Sequence, residues 1–192
     1  VEDDYEFEMS FLKPPSPALK SLDREGRVIY VGSFSKSLFP GLRLGYLVGS
    51  AAFVREARAL RASVLRHPPG HVQRTAAYFL SLGHYDAQVR RMSRTLRRRR
   101  EELDRSLKEE GLEIVGRDAF GGSSVWIAAP ANVDTDELSR QLRSDSVLIE
   151  PGRAFFSSGE PGNYFRLAYS SIPTDRIKPG VTMIAKRLRR LQ

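Results

Sequence analysis

One lysine, two serines and one arginine stand close together in the sequence. They are Ser33, Ser35, Lys36 and Arg43, inside the run V-I-Y-V-G-S-F-S-K-S-L-F-P-G-L-R-L-G-Y over residues 28–46. Burial disfavours the charged form of an amine, and a neutral amine attacks aldehydes to give a Schiff base. Serine hydroxyls and a planar guanidinium fork are the groups that hold a phosphate. An aldehyde that carries a phosphate would meet both needs, which points to pyridoxal phosphate. The same spacing also fits an exposed turn with a solvated lysine and arginine, so the surrounding elements have to decide.

Residues 28–31 are β-branched and aromatic enough for a buried strand, Gly32 and Pro40-Gly41 punctuate a turn, and residues 44–48 resume strand character. Lys36 is therefore expected in the connection between two strands. Upstream, residues 1–7 carry carboxylates at positions 2, 3 and 4 and aromatics at 5 and 7. Strand alternation there predicts Asp3, Tyr5 and Phe7 on one face and Asp4 on the other. Pro14, Pro15 and Pro17 make a rigid connector to a short helix over 18–23.

The motif S-F-S-K-S-L-x-P-G-L-R-L-G-Y closely resembles the lysine loop of fold-type I pyridoxal-phosphate enzymes, the aminotransferase superfamily. Glu2-Asp3-Asp4-Tyr5 together with G-S-F-S-K is most similar to the C-terminal aminotransferase-like domain of MocR-type regulators in the GntR family. The resemblance runs over almost the whole chain but covers only the C-terminal half of that domain. It implies an α/β fold: the end of a large mixed-sheet domain in residues 1–85, a linking helix in 86–110, and a small α+β domain in 111–192.

The resemblance also implies a site. Lys36 is the catalytic residue and the cofactor's anchor, with Ser33, Ser35 and Arg43 around its phosphate. Asp3 pairs with the pyridine nitrogen, keeping the ring an effective electron sink, and the Tyr5 hydroxyl reaches the ring's phenol oxygen. Further on, N-Y-F-R-L-A-Y at 163–169 is similar to the family strand whose arginine clamps the substrate carboxylate, which falls on Arg166; a bidentate fork suits that task. Arg153, in the preceding G-R-A-F-F, belongs to a loop and is not the clamp.

Two functions follow from the resemblance. One is an effector-sensing domain that binds pyridoxal phosphate and an amino acid or amine, in a regulator whose DNA contacts come from a separate N-terminal domain outside these 192 residues. The alternative is a free-standing aminotransferase that passes an amino group between an amino acid and a 2-oxo acid. Both imply a homodimer.

Composition excludes several other classes. With no cysteine there is no disulfide and no thiol chemistry, which fits a reducing cytoplasm. No apolar run reaches the roughly 18 residues a membrane span needs, and His67, His71 and His84 lack metal-site spacing. The net charge of +8 fits arginine-rich solvated helix faces better than a polyanion site, because the arginines at 90–100 alternate with acids and no aromatics interleave with them. Ser33 to Lys36 also matches the S-x-x-K of serine penicillin-binding enzymes, with Ser144-Asp-Ser146 and Lys178-Pro-Gly180 as companions. That serine has to open a helix, however, whereas here a strand leads into it.

Apolar offsets predict helices over 51–65, 72–82 (burying Ala76, Ala77, Phe79 and Leu80), 85–110, 135–144 and 174–191. Strands are predicted over 112–115, 123–128, 147–149 and 164–168. Along the last helix Ile177, Val181, Ile184, Leu188 and Leu191 form one stripe, which turns Lys186, Arg187, Arg189 and Arg190 toward solvent.

Overall fold

The chain divides into two compact units, Val1–Ser93 and Arg94–Gln192, each built around one sheet. The structure is a computed structural model that describes residues 1–4, 6–14, 16–116, 121–157 and 162–191, the side chain of Phe7 excepted.

In the first unit three strands, β1 (Glu2–Asp3), β2 (Tyr30–Ser33) and β3 (Gly45–Val48), lie in the order β1-β2-β3. β1 runs parallel to β2, and β3 is antiparallel to it. Helices α1 (Leu19–Leu22), α2 (Ala51–Val64) and α3 (Gly70–Ser81) follow the strands they connect. Ser50 starts α2, its hydroxyl accepting the Phe53 amide at 3.2 Å. The Glu2 carboxylate accepts the Leu19 and Lys20 amides at 2.7 and 2.9 Å, tying α1 to β1.

Two expectations fail in this unit. Strand pairing stops at Asp3, and the chain turns into a 3-10 helix over Phe7–Met9 that buries Met9 and leads into buried Phe11, so the predicted strand does not run on to residue 7; the predicted face of the Phe7 side chain lies outside what the structure describes. In α3 Ala76 is buried, but Ala77 and Leu80 are exposed and Phe79 is half-buried, because the described residues of this unit do not cover that side of the helix.

Helix α4 (His84–Glu109) begins in the first unit and ends in the second. Gly111, at φ +72, closes it: the Leu112 amide reaches back to the Leu107 carbonyl at 2.9 Å and the Gly111 amide to Lys108 at 3.2 Å. Only a residue without Cβ takes that left-handed turn at no cost.

The second unit has an antiparallel sheet of β4 (Glu113–Val115), β5 (Ser124–Ala128), β6 (Glu150–Pro151) and β7 (Tyr164–Ala168), in the order β4-β5-β7-β6. Val125 and Ile127 stand opposite Leu167 and Phe165 and are buried. They share the core with Leu138 and Leu142 of α5 (Thr135–Ser144), with Ile177, Val181, Ile184 and Leu188 of α6 (Thr174–Leu191), and with Leu96, Leu103 and Leu107 of α4. Asp134 caps α5 by accepting the Asp136 amide at 2.9 Å.

Here the predicted strand at 147–149 shifts to Glu150–Pro151. Ser146 sits at φ 60 and the Val147 amide bonds back to Leu142 at 3.0 Å, so the end of α5 occupies the backbone that the strand would use. Three arginines also depart from the solvated-face expectation, Arg99 among them, half-buried and donating to the Ser170 carbonyl. Arg187 is half-buried against Asp145, and Arg100 is buried, with its Nε 2.7 Å from Asp104. No helix among the described residues is long and apolar enough to cross a membrane.

Candidate functional site

Ser33, Ser35, Lys36 and Arg43 gather at one end of the β2–β3 hairpin. Ser33 pairs with Gly45, and the Phe34 amide donates to the Leu44 carbonyl at 3.0 Å, closing residues 34–44 into a single loop. Within it the Leu38 amide reaches the Phe34 carbonyl at 2.9 Å, so Lys36 rides on one tight turn between them. A short 3-10 turn over Pro40–Leu42 ends at Arg43, whose φ of 48 is uncommon for a residue with a side chain. Ser35 and Ser37 are buried, Lys36 is about one-third exposed with its Nζ 3.5 Å from Glu6 Oε1, and the Ser33 hydroxyl accepts the Ser35 amide at 3.1 Å.

Register settles the face of Asp3. Glu2 pairs with Tyr30 and Asp3 with Val31, so alternation sets Asp3, Val31 and Ser33 on one face and Glu2, Asp4, Tyr30 and Tyr46 on the other. Tyr30 donates to Asp4 Oδ2 at 3.2 Å, and its phenol is held above the ordinary tyrosine range by burial first, with Tyr46 and Asp4 adding to it. Asp3 and Arg43 are exposed, and neither side chain makes an ion pair among the described residues. Tyr5 lies outside the described residues.

Further contacts around the lysine turn join residues far apart in the sequence. The Tyr85 hydroxyl, on the first turn of α4, donates to Glu8 Oε1 and stands 3.1 Å from Ser37 Oγ. A phenol has one proton and a carboxylate only accepts, so the proton goes to Glu8 and Ser37 donates to Tyr85. Burial, reinforced by Glu8, holds the Tyr85 phenol above its ordinary range. Glu6 and Glu8 thus reach the lysine turn from the same short segment, one at the amine and one through Tyr85. Tyr85 is 48 residues from Ser37 and 77 from Glu8, and no local pattern marks that pairing.

Arg166 belongs to the second unit. It lies on β7 opposite Trp126 on β5 and Glu150 on β6, on the face away from the core, and its fork meets the Glu150 carboxylate. Trp126 stacks on Tyr164 at 6.0 Å and 8° and meets Phe155 edge-on at 5.4 Å, so this face is largely aromatic. Gly152, at the head of the G-R-A-F-F loop, has no room for a Cβ, which would come 2.5 Å from the Tyr164 carbonyl.

The donor set fits a phosphorylated aldehyde. It offers an amine on a tight turn, two hydroxyls and a guanidinium on or beside the same loop, and a carboxylate on the face of the sheet that Ser33 shares, the last two without an ion pair among the described residues. The contexts that a penicillin-binding site needs are absent, since Ser33 ends a strand and Lys178 to Gly180 lie inside α6. No cluster of metal-ligating side chains occurs among the described residues.

Comparison with known proteins gives three findings. The family model Aminotransferase class I and II matches residues 6–184. The chain is 60% identical over 190 residues to the HTH-type transcriptional regulator TauR of Rhodobacter capsulatus and 31% identical over 188 residues to the probable rhizopine catabolism regulatory protein MocR of Rhizobium meliloti. These matches cover 98% and 96% of this chain but 39% and 38% of those relatives, so the chain spans well under half the length of either regulator. Among solved structures it superposes with a TM-score of 0.88, at 28% identity, on the α-aminoadipate aminotransferase LysN of Thermus thermophilus complexed with N-(5'-phosphopyridoxyl)-L-leucine, covering 99% of this chain and 50% of that one.

Proposed function

The chain belongs to the class I and II aminotransferase family, and from that premise we propose that it is the pyridoxal-phosphate-binding, effector-sensing part of a MocR-type transcriptional regulator. Its fold is the C-terminal half of a fold-type I transferase. The observation that carries the cofactor reading is the hairpin loop 34–44, which holds Lys36 on a fixed turn with Ser33, Ser35 and an exposed Arg43 beside it.

When bound, pyridoxal phosphate supplies an electron sink for the carbon bearing a ligand's amino group. Lys36 Nζ is the covalent anchor, and once released it takes and returns a proton at that carbon. Arg43 and the Ser33 and Ser35 hydroxyls hold the phosphate, Asp3 holds the proton on the ring nitrogen, and Tyr5 donates to the ring oxygen. Arg166 holds the ligand's carboxylate. The regulator reading is supported by the 60% identity to TauR. It carries with it DNA contacts made by a separate domain, a homodimer and a cytoplasmic location. The likeness to LysN favours a second reading, a transaminase of amino acids.

Borohydride reduction of the full-length protein after incubation with pyridoxal phosphate tests the anchor. The cofactor is expected on the peptide that holds Lys36, and Lys36→Arg, which keeps the charge but cannot form the imine, should lose it. An adduct retained by Lys36→Ala would refute the assignment. A gel shift that responds to an amine, without turnover when a 2-oxo acid is added, separates regulator from enzyme.

A further inference from the structure

Arg166 is already engaged in this structure. Its Nε lies 3.0 Å from Glu150 Oε2, and its Nη2 lies 2.7 and 2.6 Å from Oε1 and Oε2. The contact follows from strand register, since Glu150 and Arg166 are direct partners across β6 and β7 on the face away from the core. The guanidinium carbon also sits 5.4 Å from the centre of the Phe155 ring, which stacks one side of the fork. Glu150 therefore holds the Nε–Nη2 edge and makes no bond to Nη1.

We propose that Glu150 sets the charge class of the ligand: by occupying one edge of Arg166 it makes the site favour an amino acid with a single carboxylate over one with two. This rests on the reading of Arg166 as the ligand's clamp. The charges of the pair cancel. One incoming carboxylate takes the remaining edge of the fork or displaces Glu150, and a second carboxylate on the same ligand then stands near Glu150 with the arginine already shared. Like charges brought together this way cost affinity. Both side chains are partly exposed, at 38% for Arg166 and 49% for Glu150, so solvent screening keeps the effect modest. A change of about fivefold is the expected scale.

The test is calorimetric titration of the full-length, cofactor-loaded protein with L-alanine and with L-glutamate. Wild type is expected to prefer alanine. Glu150→Gln keeps the shape and an acceptor but removes the charge, and should shrink that preference about fivefold, chiefly by tightening glutamate. Glu150→Ala should move the ratio in the same direction and serves if the first variant folds poorly. A preference unchanged in both variants overturns the proposal. So does a wild type that prefers glutamate, the result expected if Arg143 and Arg176, which line the same groove as Glu150 and Arg166, take the second carboxylate. If Arg166→Ala leaves alanine binding intact, or wild type binds neither ligand, the clamp reading itself falls.

Discussion

The two units hold themselves together by different means. In the second, Ile127, Leu138, Leu142 and Phe165 are fully buried and sheet and helix stripes close over one another. In the first, the buried apolar side chains among the described residues are Met9, Phe11, Leu42 and Ala76, while Leu60 and Val64 of α2 are 69% and 70% exposed and Tyr46, Leu47 and Val48 of β3 are also open. What fixes the lysine loop there is polar: Glu8, Tyr85 and Ser37 on one side, Glu6 on the other, and the Asp23 carboxylate under the start of β2. Directional hydrogen bonds position the backbone of that loop without filling the space around it.

The most damaging change should fall in the second unit. Phe165→Ala removes a ring from a sealed core and is expected to cost about 3–5 kcal/mol, whereas Leu60→Ala on the open face of α2 should stay within about 0.5 kcal/mol. Trp126, the single tryptophan, lies in the second unit, so denaturant unfolding followed by its fluorescence reads the first of these directly. Comparable losses for the two variants, each followed in its own unit, would break the contrast drawn above.

A middle-sized effect is expected from Tyr85→Phe. The ring and its edge-on contact with Phe34 at 5.9 Å survive, but Glu8 loses its donor and the buried Ser37 hydroxyl its acceptor, on the order of 1–3 kcal/mol. Amide exchange in the lysine turn should speed up, at Leu38 above all, with the Trp126 transition unmoved. If exchange at Leu38 stays at the wild-type rate, the turn is held by its own backbone and the polar-clamp account of the first unit is wrong.

The legibility of the sequence follows the same division. Where an element buries its own stripe, periodicity places it well: α5 and β7 coincide with their predicted spans, and Ile177, Val181, Ile184 and Leu188 of the predicted α6 stripe are buried, together with Ala185, while Leu191 is half-buried. Where burial depends on partners distant in sequence it misleads, as in α3, whose Ala77 and Leu80 are exposed. The place of the lysine loop between two strands could be read because Ser33 to Arg43 lie inside one hairpin. The Glu8–Tyr85–Ser37 chain and the Glu150–Arg166 pair could not, since each joins residues that meet only through tertiary folding or strand register. Residue type identifies a candidate ligand, but not the carboxylate that will reach it first.

The smallest expected effect is electrostatic, and it separates the units by pH. In the first unit the Asp23 carboxylate accepts the Lys20 amine at 2.8 Å and the Val28 and Arg27 amides at 3.0 and 3.1 Å. These bonds, the lysine's foremost, hold its pKa well below the usual carboxylate range. In the second, Asp145 accepts Arg187 Nε and Nη2 at 2.6 and 2.8 Å, tying the end of α5 to α6, and its pKa is likewise lowered, chiefly by that pair. A carboxyl depressed in the folded state adds stability that is complete above its unfolded pKa, roughly 3.9, and that fades as pH falls through the lower folded value. Asp145→Asn should therefore lower stability at neutral pH by the modest worth of that ion pair, with the difference from wild type vanishing as pH falls below about 4, so that the acid limb of the Trp126 transition flattens. Asp23→Asn should leave that limb alone and instead loosen the Val28 amide, read by hydrogen exchange across the same pH range. An acid limb that responds equally to both substitutions would mean that the units unfold together, and the contrast between them would then describe packing but not stability.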